Sequence, residues 1–185
     1  MINQKIINAI KKRRSIYPVN FNGKIIAKEI ILEILRTANT APTHKLTQPW
    51  FFKVFTNHSK IELANQIIKI NNVKDDLLKS KIITKFELSS HIICTCMRRD
   101  INKSIPEWEE IAATAMAVQN IWLSCVDSNI GGYWSTPKSI DDLRLFLKLK
   151  KHERCLGLFY LGQYDQLKER KIKRKKIEDD IEWFN

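Results

Sequence analysis

A single domain of mixed helix and strand is what this sequence predicts, and three observations lead there. Apolar residues recur at helical spacing in several stretches, as at Ile30, Ile31, Ile34 and Leu35. Runs of strand length, alternating or continuously apolar, lie between them at 51–56, 91–97 and 155–161. The chain has 185 residues, 44% of them hydrophobic, enough for one proper core, and no internal repeat or low-complexity tract divides it.

The first helix is expected over 3–14, with Asn3 able to cap it and Ile6, Ile7 and Ile10 on one stripe. It runs into Lys11-Lys12-Arg13-Arg14-Ser15. Cations favour a helix C-terminus through the macrodipole, which accounts for part of this cluster with no ligand. Two adjacent guanidinium groups followed by a hydroxyl also make a good phosphate site. A second helix follows at 27–38. The stretch Thr40 to Trp50 is then a loop, because Pro42 and Pro49 remove backbone donors and fix φ. Between the prolines stand His44, Lys45, Thr47 and Gln48, a dense polar set on a stiff backbone. It reads either as a structural turn or as a contact loop for a flat, polar-edged ligand.

After the strand at 51–56 come helical stretches at 59–70 and 74–88, the latter polar enough for a mobile surface element. The run at 91–97 is a strand buried on both sides, near the sheet centre. The long helix is expected over 105–129, entered through Pro106 and closed by Asn129 and Gly131. Its residues Ile111, Ala115, Val118, Ile121, Trp122 and Cys125 place it under a sheet or in a subunit interface. Gly131 to Pro137 then offers little side-chain bulk, so backbone there can approach a ligand closely. A short helix at 139–148 begins with the capping pair Ser139 and Asp142, and the strand at 155–161 follows. Residues 165–185 form a basic linker and a terminal segment whose aromatics, Trp183 and Phe184, call for burial on the chain's own body or on a partner subunit.

The formal charge of +12 suggests phosphate partners, yet the lysines are scattered along the chain. The one dense cluster, Lys168 to Lys176, reads as a solvated linker, and no recognition motif accompanies it, which argues against nucleic acid. Cys94, Cys96, Cys125 and Cys155 form no C-x-x-C pair and sit in apolar segments, as reduced, buried thiols do; Cys94 and Cys96 share one strand face. The four histidines are too far apart for a local metal motif. Polar residues break the longest apolar run, at 111–126, so no membrane span is expected, and the first residues lack an apolar signal region. The expectation is a cytoplasmic protein. No Ser-His-Asp set and no paired carboxylates stand out, so no catalytic side chain is named.

Four segments in order, Arg-Arg-Ser at 13–15, Ala-Pro-Thr-His-Lys with Gln-Pro-Trp at 41–50, Gly-Gly-Tyr-Trp-Ser at 131–135 and Gly-Leu-Phe-Tyr-Leu-Gly at 157–162, resemble the nitroreductase family of FMN-dependent oxidoreductases, in its small single-domain branch. The resemblance covers nearly the whole chain, 1–185. It implies an α+β three-layer sandwich, a mostly antiparallel sheet wrapped by helices, forming an obligate homodimer with FMN at the interface. Arg13, Arg14 and Ser15 would hold the phosphate and ribityl chain. Thr40, His44 and Gln48 would come from the other subunit, and Trp134, Ser135 and Thr136 would line the flavin. The implied reaction passes hydride from NADH or NADPH through the flavin to a nitroaromatic, a quinone or a similar flat acceptor. The cofactor then carries the chemistry, in keeping with the absence of a catalytic constellation. This chain departs from the branch at two points, with Thr40 where an arginine precedes Ala-Pro and Trp134-Ser135-Thr136-Pro137 in place of Trp-Arg-Ser-Gly. Three other readings stand beside it: oxidation of a small molecule by flavin and oxygen, a flavin-free member kept as a structural dimer, and a basic nucleic-acid-binding protein.

Overall fold

The structure, a computed structural model, describes residues 2–167 and 173–184. Four strands form one antiparallel sheet: β1 (Trp50–Thr56), β2 (His91–Arg98), β3 (Ile130–Ser135) and β4 (Glu153–Gln163), in the order β1-β2-β4-β3. β2 and β4 are central, and both are buried almost throughout, so their sequences are apolar without alternation. Five helices cover the sheet: α1 (Gln4–Lys12), α2 (Lys28–Ala38), α3 (Asn57–Ile70), α4 (Asp76–Leu88) and α5 (Glu107–Ser124).

The alternation of β2 divides the core in two. Ile92, Cys94 and Cys96 face a layer made by α3, α4 and a 3-10 turn at Ile140–Arg144, where Leu63, Phe86 and Leu143 are buried with Cys155 and Leu158 of β4. Ile93 faces α2 and α5, with Ile31, Ile34, Ala117, Val118 and Ile121. The result is the three-layer sandwich expected. All four cysteines are free and buried. Among the described residues no helix is long and apolar enough to cross a membrane, and no His, Cys, Asp or Glu cluster is arranged to hold a metal ion.

Two polar anchors tie the layers together. Glu110 on α5 is fully buried; its carboxylate accepts from the Asp100 amide (2.8 Å) and pairs with Arg99, which also donates to the Ile105 carbonyl (2.6 Å). This clamps the 99–105 turn onto α5. On the opposite layer the buried Lys60 of α3 donates to the carbonyls of Glu87 (3.0 Å) and Ser89, satisfying orphan acceptors at the end of α4.

Several element boundaries differ from the sequence expectation. α1 is capped by Asn3 as expected, through the amides of Lys5 and Ile6, but stops at Lys12, with Arg13 already out of helical geometry. α5 ends at Ser124 instead of 129, and Pro106 is its N-cap, outside the first turn. Gly131, expected to close the long helix, and Gly132 lie inside β3 because that segment pairs with β4 from Ile130↔Gln163 to Ser135↔Leu158. The expected helix at 139–148 is only the 3-10 turn; Ser139 makes no cap and donates instead to Asn71 Oδ1 (2.9 Å). The basic cluster lies partly outside the described residues, at 168–172. The terminal segment beyond it does not dock on its own body: Trp183 and Phe184 are 81% and 87% exposed.

Candidate functional site

The backbone at Gly132 organises the site. Its carbonyl accepts from the Ile16 amide (3.0 Å) and from Trp122 Nε1 (2.8 Å), so the segment after α1, the last turns of α5 and strand β3 meet at one atom. Gly131 and Gly132 have to be glycine there, since a Cβ would collide with Ile16 at the first and with the Phe159 ring at the second. This arrangement carries Arg13 over the Trp122 ring, 5.2 Å from its centroid, a cation–π contact that orients the guanidinium. A concave surface of about 200 Å³ results, lined by Arg13, Arg14, Trp122, Gly131 and Tyr164, with the Lys12–Asp127 ion pair (2.8 Å) at its margin.

Burial lowers the Arg13 pKa from its ordinary value, and the charge of Arg174 lowers it further. Arg14 and Ser15 are half-buried beside Arg13, while Arg174, whose charge reaches Arg13, is an exposed residue of the tail. A partly desolvated guanidinium such as that of Arg13 is stabilised by an anion beside it.

Trp134, Ser135 and Thr136 leave this region along the same edge. Trp134 Nε1 donates to Thr95 Oγ1 (3.0 Å), and the Thr136 hydroxyl donates to the Leu156 carbonyl (3.0 Å). Two of the three expected segments, 13–15 and 134–136, are therefore brought to one edge of the sheet within a single chain.

The third segment is only partly there. Thr40 sits at the end of α2, where its hydroxyl donates to the Thr37 carbonyl (2.8 Å) and lies 3.5 Å from Asn120 Nδ2 of α5. His44 is at the other end of α5: its Nδ1 is 2.6 Å from Glu109 Oε2, and Lys45 Nζ donates to the Ser104 carbonyl (3.0 Å). Residues 109 and 122 are roughly 20 Å apart along the helix at its standard rise, so His44 is remote from Arg13 of its own chain. Lys45, Leu46 and Gln48 all have left-handed backbone, with φ of 50°, 52° and 42°. Such strain in three non-glycine residues persists only where the surroundings impose it, and it concentrates in contact loops.

The nitroreductase family profile matches residues 10–163, which include the segment after α1, the strained loop, α5 and the whole sheet. The chain belongs to the nitroreductase family. Its relatives include the Bacillus subtilis (strain 168) protein YfhC, provisionally named an NAD(P)H nitroreductase, 28% identical over 177 residues that cover 92% of this chain and 89% of YfhC. YdjA of Escherichia coli (strain K12), named in the same way, is 24% identical over 72% of this chain and 75% of its own length. The solved structure of a nitroreductase-like protein from Bacillus cereus superposes with a TM-score of 0.82 at 25% identity, covering 100% of this chain and 98% of that one. A nitroreductase-like protein from Desulfovibrio desulfuricans, solved in complex with FMN, shares the fold with a TM-score of 0.76 at 18% identity over 98% and 96% of the two chains.

Within this nitroreductase fold, Trp122 as the platform for Arg13 is the residue that sequence reasoning missed. Trp122 was read only as core, because its indole N–H partner is a backbone carbonyl supplied by a strand the sequence did not reveal.

Proposed function

We propose that this chain is an FMN-dependent oxidoreductase that takes hydride from NADH or NADPH and delivers it to a flat acceptor such as a nitroaromatic or a quinone, acting as a homodimer. The observation that carries this reading is Arg13, held over the Trp122 ring, with Arg14 beside it on the wall of a cavity at the β3 glycines, a cationic end that a phosphate dianion would neutralise. The donor set fits FMN: guanidinium groups for the phosphate, the Ser15 hydroxyl for the ribityl chain, and Trp134, Ser135 and Thr136 beside the ring. A cavity of about 200 Å³ is small for such a ligand, since ligand sites usually enclose roughly 300–1,000 Å³. A second copy supplying its Thr40, His44 and Gln48 would complete the enclosure, and the ties of His44 and Lys45 to α5 hold that loop in a fixed shape for presentation.

In this mechanism FMN, once bound, supplies reversible hydride acceptance. Arg13 and Arg14 would bind and neutralise its phosphate, with the Trp122 ring holding Arg13 in place. The Trp134 to Thr136 segment bounds the space in which donor and acceptor would stack by turns. No side chain at the site is required to move a proton, in keeping with a cofactor that carries the reaction.

The test begins with the visible spectrum of the freshly purified protein and the identification of any flavin released on denaturation. A yellow protein releasing FMN is expected. Arg13→Ala should weaken FMN binding by about 1.5–3 kcal/mol, as a lost charge-assisted hydrogen bond does, read by fluorescence titration of the flavin-depleted protein. A colourless protein that takes up no added FMN would instead favour the flavin-free structural dimer.

A further inference from the structure

Trp134 is held by a polar relay that crosses the sheet. Its Nε1 donates to Thr95 Oγ1 (3.0 Å), and Thr95 in turn donates its single hydroxyl proton to the Gly157 carbonyl (3.0 Å). Because that proton is committed to Gly157, the oxygen can only accept from the indole, which fixes the direction of both bonds. Thr95 is fully buried, in the middle of the central strand, so water cannot substitute for it. Gly157 contributes by what it lacks: a Cβ there would collide with Trp134 Nε1 and stand 3.1 Å from the Ser135 carbonyl.

The strand register explains why β4 can do this. Thr95 pairs with Gly157 while the next residue, Cys96, pairs with Cys155, so Leu156 is an extra residue in β4, a β-bulge. The bulged Leu156 carbonyl is the one that accepts from Thr136 Oγ1 (3.0 Å). Both ends of the Trp134 to Thr136 segment are thus pinned by one irregularity, the indole through Thr95 and Gly157 and the threonine through Leu156.

We propose that Thr95 is a positioning residue for the flavin site, acting through Trp134, and that the Leu156 bulge with Gly157 exists to admit this relay. The proposal rests on the flavin reading above, but its structural half is independent of it. The relay sets the indole angle, and the indole sets the wall against which a flat ring is laid.

The test compares full-length wild type with Thr95→Val, which keeps the shape and removes the hydroxyl, and Thr95→Ser, which keeps it. In the flavin-depleted protein, the near-UV circular dichroism assigned to Trp134 by difference from Trp134→Phe should be lost in Thr95→Val and retained in Thr95→Ser. FMN affinity should fall about tenfold in Thr95→Val and return to near wild type in Thr95→Ser. A retained dichroism signal in folded Thr95→Val, or unchanged affinity there, overturns the proposal. If wild type binds no FMN, the flavin reading fails while the dichroism still decides whether Thr95 orients the indole. Should Thr95→Val not fold, Trp134→Phe removes the same N–H from a half-buried position, and wild-type FMN affinity in that variant overturns the proposal.

Discussion

Lys60 and His91 show how single charged side chains are accommodated where two layers of this fold meet. Burial lowers the pKa of each, and the positive charge of Lys60 further lowers that of His91. His91 Nδ1 lies 2.8 Å from Ser90 Oγ, which already accepts the Ile26 amide at 2.7 Å. The serine proton is therefore free to point at Nδ1, leaving the imidazole neutral with its proton on Nε2. With the folded pKa below about 6.5, the unfolded chain binds the extra proton first, so stability is full above that pH and declines as pH falls through the folded value. Thermal unfolding between about pH 7.5 and pH 5 should show this loss, and His91→Gln should flatten that part of the profile relative to wild type. None of this was legible beforehand: a histidine at the head of an apolar strand carries no mark of what stands beside it, and Lys60 looked like one more surface lysine.

At the level of elements, Glu110 is the anchor with the most at stake. Removing it leaves Arg99 and the Asp100 amide buried without their acceptor, so Glu110→Ala should lower unfolding stability by about 3–5 kcal/mol, measured by urea denaturation. Glu110→Gln, which keeps an acceptor, should lose less. The helices and central strands could be read in advance because stripes such as Ile31 and Ile34 on α2 and the run Ile92 to Met97 on β2 state their own burial, although Ile30, at the same helical spacing, is exposed. β3 could not, since Gly131 and Gly132 have no side chains to alternate, and its strand character comes from pairing with β4. The 3-10 turn at Ile140–Arg144 was overread because Leu143 and Leu147 have helical spacing, yet they are buried in a chain that has to turn sharply into β4. Of the candidate site, the cluster Arg13 to Ser15 was legible, whereas the Trp122 ring beneath Arg13 was not, because it comes from a helix far along the chain.

For the whole molecule, the telling feature is the apolar surface that one chain leaves open. Every apolar residue of the α1 stripe escapes full burial, with Ile6 58% and Ile10 50% exposed, and the terminal aromatics join them. A helix that is amphipathic but unburied is a face in want of a partner. Light scattering after gel filtration should give twice the chain mass, and Ile6→Asp combined with Ile10→Asp should shift the protein toward the monomer. The four buried thiols add a different kind of access to this molecule. Burial pushes Cys125 up to about 12, though it lines the Arg13 cavity; Cys94, Cys96 and Cys155 lie deeper, so their alkylation has to wait for the chain to open. Cys94, Cys96 and Cys155 share the core on the α3 and α4 side, whereas Cys125 belongs to the α5 side. Labelled under native conditions and followed by peptide mass spectrometry, the first three should react together and Cys125 on its own schedule, a built-in clock that reports which side of the sheet comes apart first.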